Sequence, residues 1–286
     1  MTLGQAMVLG IVEGLTEYLP VSSTGHLLLA SHFMDIGKGG NTDSGENSGY
    51  DKQCKEASDA YAICIQFGAI LAVFGLYFRR VQQMANGLRG KDEAGRQLRG
   101  KDEAGRQLLI NIVVGFIPAA IIGLLFNELI KSYLFGIWPV IIKRKRGQHC
   151  SQSGLSIMQL SWRMALIIGF AQCIAMWPGV SRSLITIVGG VLVGLSLSAA
   201  VEFSFLLGLI TLGAATAYDA LKHGQVMLHT FEPLSLGVGV FFAFIAALVS
   251  VKWMVGYLNR HGLEIFGYYR VGLALIVAWL LGSGGA

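Results

Sequence analysis

The chain has 286 residues, 53% of them hydrophobic and only 14% charged, with 38 glycines, a mean hydropathy of +0.58 and a formal net charge of +5. An average soluble domain carries about 25% charged residues, so this balance excludes an ordinary water-soluble enzyme and predicts a protein built into a bilayer. The small basic excess gathers in connecting segments, a pattern of membrane orientation rather than nucleic-acid binding, and Cys54, Cys64, Cys150 and Cys173 have neither metal nor disulfide spacing.

The first segment, Leu3–Phe33, opens without a basic n-region or a small-residue cleavage site and so does not read as a signal peptide. It is apolar but broken by PVSSTGH at Pro20–His26. Crossing the hydrocarbon takes about 20 residues. On that measure Ala60–Phe78, Leu108–Phe126, Ala199–Leu221, Leu234–Val255 and, marginally, Phe266–Leu281 are predicted spans. Met164–Leu195 is broken again, by PGVSRS. Each broken segment reads as two half-length helices around a polar tip. Lipid tolerates irregular backbone only where it is buried in protein or lines a wet cavity, so both are expected to be re-entrant hairpins. Shifting the first by 159 positions superposes Gly10 on Gly169, Glu13 on Gln172, Tyr18 on Trp177, Val21 on Val180 and Ser22 on Ser181.

Loop charges give an orientation. Arg79–Arg106 holds eight Lys or Arg, Lys143–Arg146 reads KRKR, and Arg260 and His261 mark the last connection, so these belong on the cytoplasmic side. Asp35–Glu56 and Lys222–Pro233 belong outside, as do both termini. The expected fold is all-α: a polytopic membrane protein with two re-entrant helical hairpins and about six transmembrane helices in an inverted-topology repeat. It forms a single integral domain over 1–286, with repeat halves near 1–146 and 160–286. Tyr133–Ile142 covers only about half a span. Either it extends into Leu129–Ile130 and thins the membrane, or it lacks residues. The tandem decamer LRGKDEAGRQ, at Leu88–Gln97 and Leu98–Gln107, reads as a lengthened cytoplasmic loop without catalytic consequence.

Inside this apolar frame a few polar groups need a reason. Glu13 and Glu17, four apart, share a helix face. They could bind a divalent cation or share a proton; the bland alternative is an interfacial helix end. Ser22, Ser23, Thr24, Gly25 and His26 offer backbone amides to an anion, and a serine beside a histidine and a carboxylate supplies an activated nucleophile. The same residues could be no more than a capping turn. Arg182, between Ser181 and Ser183, is the only Lys or Arg between Arg163 and Lys222. A guanidinium flanked by hydroxyls suits phosphate, and a tip at mid-membrane leaves it no water to snorkel to. Glu202 opens a span and reads as a headgroup-facing or helix-end acid. Trp177, Trp253 and Trp279 read as interfacial or packing residues.

The strings EGLTEYLPVSSTGH at Glu13–His26 and WPGVSRSLIT at Trp177–Thr186 resemble the two signature motifs of the undecaprenyl-diphosphate phosphatase family of the BacA/UppP, bacitracin-resistance type. The similarity extends through IQFGAILAV and EFSFLL. The resemblance implies a bacterial inner-membrane enzyme, its site open to the periplasm, that removes the terminal phosphate of a polyprenyl diphosphate to recycle the cell-wall lipid carrier. It also implies dependence on a divalent cation, Mg2+ or Ca2+, held by Glu13 and Glu17. By motif position the implied catalytic residues are Glu13, Glu17, Ser23, His26, Ser181, Arg182 and Thr186. Ser22, Thr24, Gly25, Ser181, Ser183 and Thr186 are expected to bind phosphate. Leu184 stands where family members usually carry glycine, and Tyr133–Ile142 where they have a full helix.

Ser23 is the favoured nucleophile, with Glu17 or His26 taking its proton, and direct attack by water stays open. The expected partners are the lipid diphosphate and the bilayer, not nucleic acid; a homodimer is left open. A transporter or flippase of a phosphorylated lipid is the competing class, since broken helices in inverted repeats are transporter architecture. A carrier, however, needs no Ser–His–Glu cluster. A histidine-nucleophile lipid phosphatase is a third reading. It lacks a second histidine near SRS, the next being His223.

Overall fold

A computed structural model of the chain describes residues 1–34, 36, 48–89, 99–133, 154–176, 179–230 and 232–283; helical side chains at 48–60, 88–89, 99–102, 125–133, 223–230, 259 and 278–283 are not among those described. Among these residues the protein is all-helical. In chain order come α1 (Leu3–Thr16), α2 (Ser23–Phe33), α3 (Ser48–Leu76), α4 (Phe78–Arg89), α5 (Arg99–Tyr133), a short 3-10 turn (Ile157–Gln159), α6 (Trp162–Ile174), α7 (Arg182–Leu192), α8 (Leu197–Thr230), α9 (Pro233–His261) and α10 (Glu264–Ser283). Among the described residues three stretches are long and apolar enough to cross a bilayer: Glu103–Leu124, Leu197–Lys222 and Pro233–Leu258. A fourth is added if Tyr61–Leu76 and Phe78–Gly87, which meet at 73°, form one broken span. The chain is a polytopic membrane protein. α1, α6 and α7 are apolar but too short to cross alone, and both broken segments of the sequence are helix–tip–helix units.

Several boundaries differ from the expected ones, for one reason: hydropathy marks where a helix leaves the lipid, not where its backbone hydrogen bonds stop. The expected loop Lys222–Pro233 is largely helix, because α8 continues to Thr230. The Arg79–Arg106 segment contains α4 and the start of α5. The second copy of the decamer is therefore mostly the first turns of α5 rather than loop, and a side chain at its Gly105 would strike the Gln83 carbonyl of α4. Residues 90–98 of the duplication, the short segment at Tyr133–Ile142 beyond Tyr133, the KRKR run, Cys150, Trp177 and most of the 35–47 stretch lie outside the described residues.

The chain divides into two compact units, each drawing segments from both halves of the sequence. The first contains Met1–Tyr18, Ser23–Tyr77 and Gly208–Lys252; the second contains Leu19–Ser22, Phe78–Leu207 and Trp253–Ala286. In the first, Ala6, Leu9, Tyr61, Ile65 and Ala243 form a buried cluster of α1, α3 and α9. Helices in lipid gain little from the hydrophobic effect and associate through close backbone approach at small residues. Gly10 and Gly14 provide this on α1. A methyl at Gly10 would meet the Gly239 carbonyl, and one at Gly14 the Ala243 carbonyl and Ala246 Cβ. Tyr61 Oη donates to the Ala6 carbonyl at 3.2 Å and Ser250 Oγ to the Leu15 carbonyl at 2.8 Å, securing both ends of α1.

The second unit repeats the device at the matched position. Gly169 of α6 packs on the backbone of Gly115 in α5, and Asn111 Nδ2 donates to the Leu160 carbonyl at 2.6 Å. Arg80 Nε of α4 donates to Glu202 Oε1 of α8 at 2.6 Å. Glu202 is thus the ion-pair partner of Arg80. Its partner is 122 residues away in sequence, where no local pattern shows it. Leu155 and Leu195 make an isolated parallel pairing between the strand-like approaches to α6 and α8.

Candidate active site

α1 stops before Pro20 because proline has no N–H to continue the ladder and disfavours helical geometry at Leu19. Glu17 becomes the C-cap residue, its N–H on the Glu13 carbonyl at 2.9 Å. Glu13, one turn earlier, is buried to 2% exposure, while Glu17 is half-buried. The chain then passes through Ser22, the one described non-glycine in the left-handed region (φ 71°), and α2 begins at Ser23. A serine held there costs on the order of 1–3 kcal/mol, a strain that collects at functional sites. Ser23 Oγ donates to Glu17 Oε2 at 2.5 Å. His26 lies three residues further along α2, on the same helix face as Ser23. Thr24 is exposed, and no atom comes within 4 Å of where a Gly25 Cβ would stand. The first turn of α2 therefore presents clear backbone.

The second tip belongs to the other unit, together with Leu19–Ser22. Ser181 N-caps α7, accepting from Leu184 N–H at 3.4 Å, and its hydroxyl lies 2.9 Å from that of Ser183. Ser183 Oγ donates to the Leu19 carbonyl at 2.9 Å, joining the second tip to the backbone of the first. Thr186 Oγ1 is 2.6 Å from Ser204 Oγ of α8 and donates to the Arg182 carbonyl at 2.8 Å. Ser181, Ser183 and Thr186 are nearly inaccessible, at 4%, 2% and 1% exposure. Arg182, the first residue of α7, is half-buried.

The structure thus brings Ser23 onto Glu17, and Ser181, Ser183 and Thr186 into one buried hydroxyl network. Those three hydroxyls, expected at the phosphate, are hydrogen-bonded within the protein. Sequence reasoning missed Ser204 and Arg270, whose guanidinium donates to the Gly179 carbonyl at 2.9 Å. Ser204 is the serine of EFSFLL, where no pattern assigns it a role, and Arg270 stands in an apolar segment outside both signature motifs.

Among the described residues no three of His, Cys, Asp or Glu converge as a metal cage. The oxygens offered near the first tip are the Glu17 carboxylate with the Ser23 hydroxyl on it and, one turn earlier, the Glu13 carboxylate. That suits Mg2+, which takes one or two carboxylates and completes its shell with water and substrate phosphate, better than Ca2+ with its roughly six to eight oxygens. A carboxylate as buried as Glu13 also needs a proton, a donor or a cation to offset desolvation.

A family model described as bacitracin resistance protein BacA matches residues 6–276. The chain is 40% identical over 288 residues to an undecaprenyl-diphosphatase of Sorangium cellulosum, covering 96% of this chain and 85% of that protein. It is 38% identical over 290 residues to an undecaprenyl-diphosphatase of Nitrosomonas europaea, covering 98% and 95%. It is 36% identical over 286 residues to undecaprenyl-diphosphatase 3 of Acinetobacter baylyi, covering 97% of each.

Proposed function

We propose that this chain, which belongs to the bacitracin resistance protein BacA family, hydrolyses undecaprenyl diphosphate to undecaprenyl phosphate and inorganic phosphate, and so confers bacitracin resistance. The observation that carries the mechanism is the 2.5 Å hydrogen bond from Ser23 Oγ to Glu17 Oε2. A hydroxyl is a weak nucleophile until a base takes its proton, and here the base is already in contact with it.

Ser23 Oγ attacks the terminal phosphorus and its proton passes to Glu17. The bond from phosphorus to the bridging oxygen breaks, and undecaprenyl phosphate leaves with that oxygen. Water then cleaves the phosphoserine, giving inorganic phosphate and returning the proton to Ser23. His26, on the Ser23 face of α2, is the group for protonating the departing oxygen. Phosphoryl transfer is governed by positioning and charge stabilisation, and Arg182 supplies the fixed positive charge. Ser22, Thr24 and Gly25 offer amides and hydroxyls to the phosphate oxygens. Ser181, Ser183 and Thr186 act one step back, by holding the head of α7.

Glu13 and Glu17 would hold a divalent cation, which when bound would neutralise charge on the transferring phosphoryl group. The loop charges support an inverted topology, and membership of the family supports a place in the bacterial inner membrane with the site open to the periplasm. The test is phosphate release from undecaprenyl diphosphate by the purified protein, with and without chelator. We expect release that chelator suppresses and Mg2+ restores. Binding of the lipid without release would make the protein a carrier instead.

A further inference from the structure

We propose that Arg270 is a positioning residue for this reaction: from α10 its guanidinium holds the Gly179 carbonyl, and through that turn it fixes Ser181 and Arg182 at the head of α7. The inference rests on the phosphatase reading and adds a residue to it from outside both motifs.

Two needs meet at this contact. An arginine within an apolar helix costs roughly 2.5–3.5 kcal/mol on insertion scales unless it finds a polar partner. A carbonyl in the irregular backbone between two half-helices must likewise find a donor in protein, because lipid offers none. Arg270, in the second turn of α10, donates to the Gly179 carbonyl at 2.9 Å and satisfies both.

Gly179 has φ +84° and is exposed, and among the described residues beyond its chain neighbours no atom lies within 4 Å of the position a Cβ would take. Just beyond it Val180 and Ser181 are buried, at 9% and 4% exposure. Arg182 is three residues beyond the anchored carbonyl, so freedom at Gly179 becomes freedom in the charge that must meet the phosphate. A misplacement of about 1 Å can cost on the order of a hundredfold in rate.

A single carbonyl acceptor asks for one well-placed donor, which lysine can supply; a bidentate grip on phosphate would not survive that exchange. The test therefore compares purified Arg270→Met and Arg270→Lys, alone and with Arg182→Lys. Phosphate release from undecaprenyl diphosphate and hydrogen exchange at the amides of Val180–Leu184 are both measured. For Arg270→Met we expect kcat to fall by about 10- to 100-fold, with KM close to wild type. Tip exchange should quicken, and Arg270→Lys should recover most of both losses. Added to Arg182→Lys, Arg270→Met should cost clearly less than it does alone, because the two act through one element.

Full activity in Arg270→Met, unchanged tip exchange, or losses that multiply with Arg182→Lys would overturn the proposal. If Arg270→Met does not fold, Arg270→Lys decides: failure to restrain the tip would count against it. A wild-type protein that releases no phosphate would overturn the phosphatase reading instead, leaving hydrogen exchange to judge the anchor.

Discussion

At the scale of single residues, a serine hydroxyl 2.5 Å from a carboxylate oxygen is a short, charge-assisted hydrogen bond. On the proposed mechanism Glu17→Gln keeps the shape and removes the base. It should lower kcat by about a hundredfold or more and weaken activation by divalent ions, as a titration of phosphate release against Mg2+ would read. Thr186→Val acts differently. It leaves Ser204 Oγ without its 2.6 Å partner in a buried site, so it should destabilise the protein by about 1–3 kcal/mol, measured by thermal unfolding in detergent. The first of these residues was legible in the sequence, because carboxylate, serine and histidine within Glu13–His26 are chemistry in lipid-like surroundings. Thr186 was legible too, but not its partner. The contacts that hold the tips run from Ser183 to Leu19, from Thr186 to Ser204 and from Arg270 to Gly179. They join positions 164, 18 and 91 residues apart, and no periodicity encodes them.

Among the elements, α1 carries Glu13, ends on its C-cap Glu17, and is set against α9 by glycines. Gly14→Ala would drive a methyl into the Ala243 carbonyl, an overpacking worth about 1–3 kcal/mol of stability, and should displace Glu13 and Glu17 enough to lower activity as well. Gly213→Ala is the control. It stands in α8 with nothing within 4 Å of its Cβ position, so the thermal midpoint should hold or rise slightly with the better helix former, by up to about 1 kcal/mol. The helix–tip–helix hairpins were readable because proline, glycine and hydroxyls interrupt apolar runs. The true helix ends were not. α8 runs on to Thr230 and α5 starts at Arg99, beyond the apolar limits of their spans. Hydrogen bonding continues into water after hydropathy has fallen.

For the whole molecule, the proposed orientation rests on loop charges. With the native cysteines removed, a cysteine at Glu232 should react with a membrane-impermeant thiol reagent in intact cells, and one at Gln82 only after the membrane is opened; both positions are exposed. The opposite pattern would invert the assignment. The central claim is that a diphosphate bond is cleaved through Ser23. Its most direct measurement is phosphate release from undecaprenyl diphosphate by Ser23→Ala beside wild type, with acid-quenched protein assayed for phosphoserine. The account predicts that Ser23→Ala binds the lipid but loses turnover by about a thousandfold or more, and that a phosphoserine at Ser23 is trapped in wild type. Near-normal turnover in Ser23→Ala, with loss in Ser22→Ala or a phosphohistidine at His26, would contradict it.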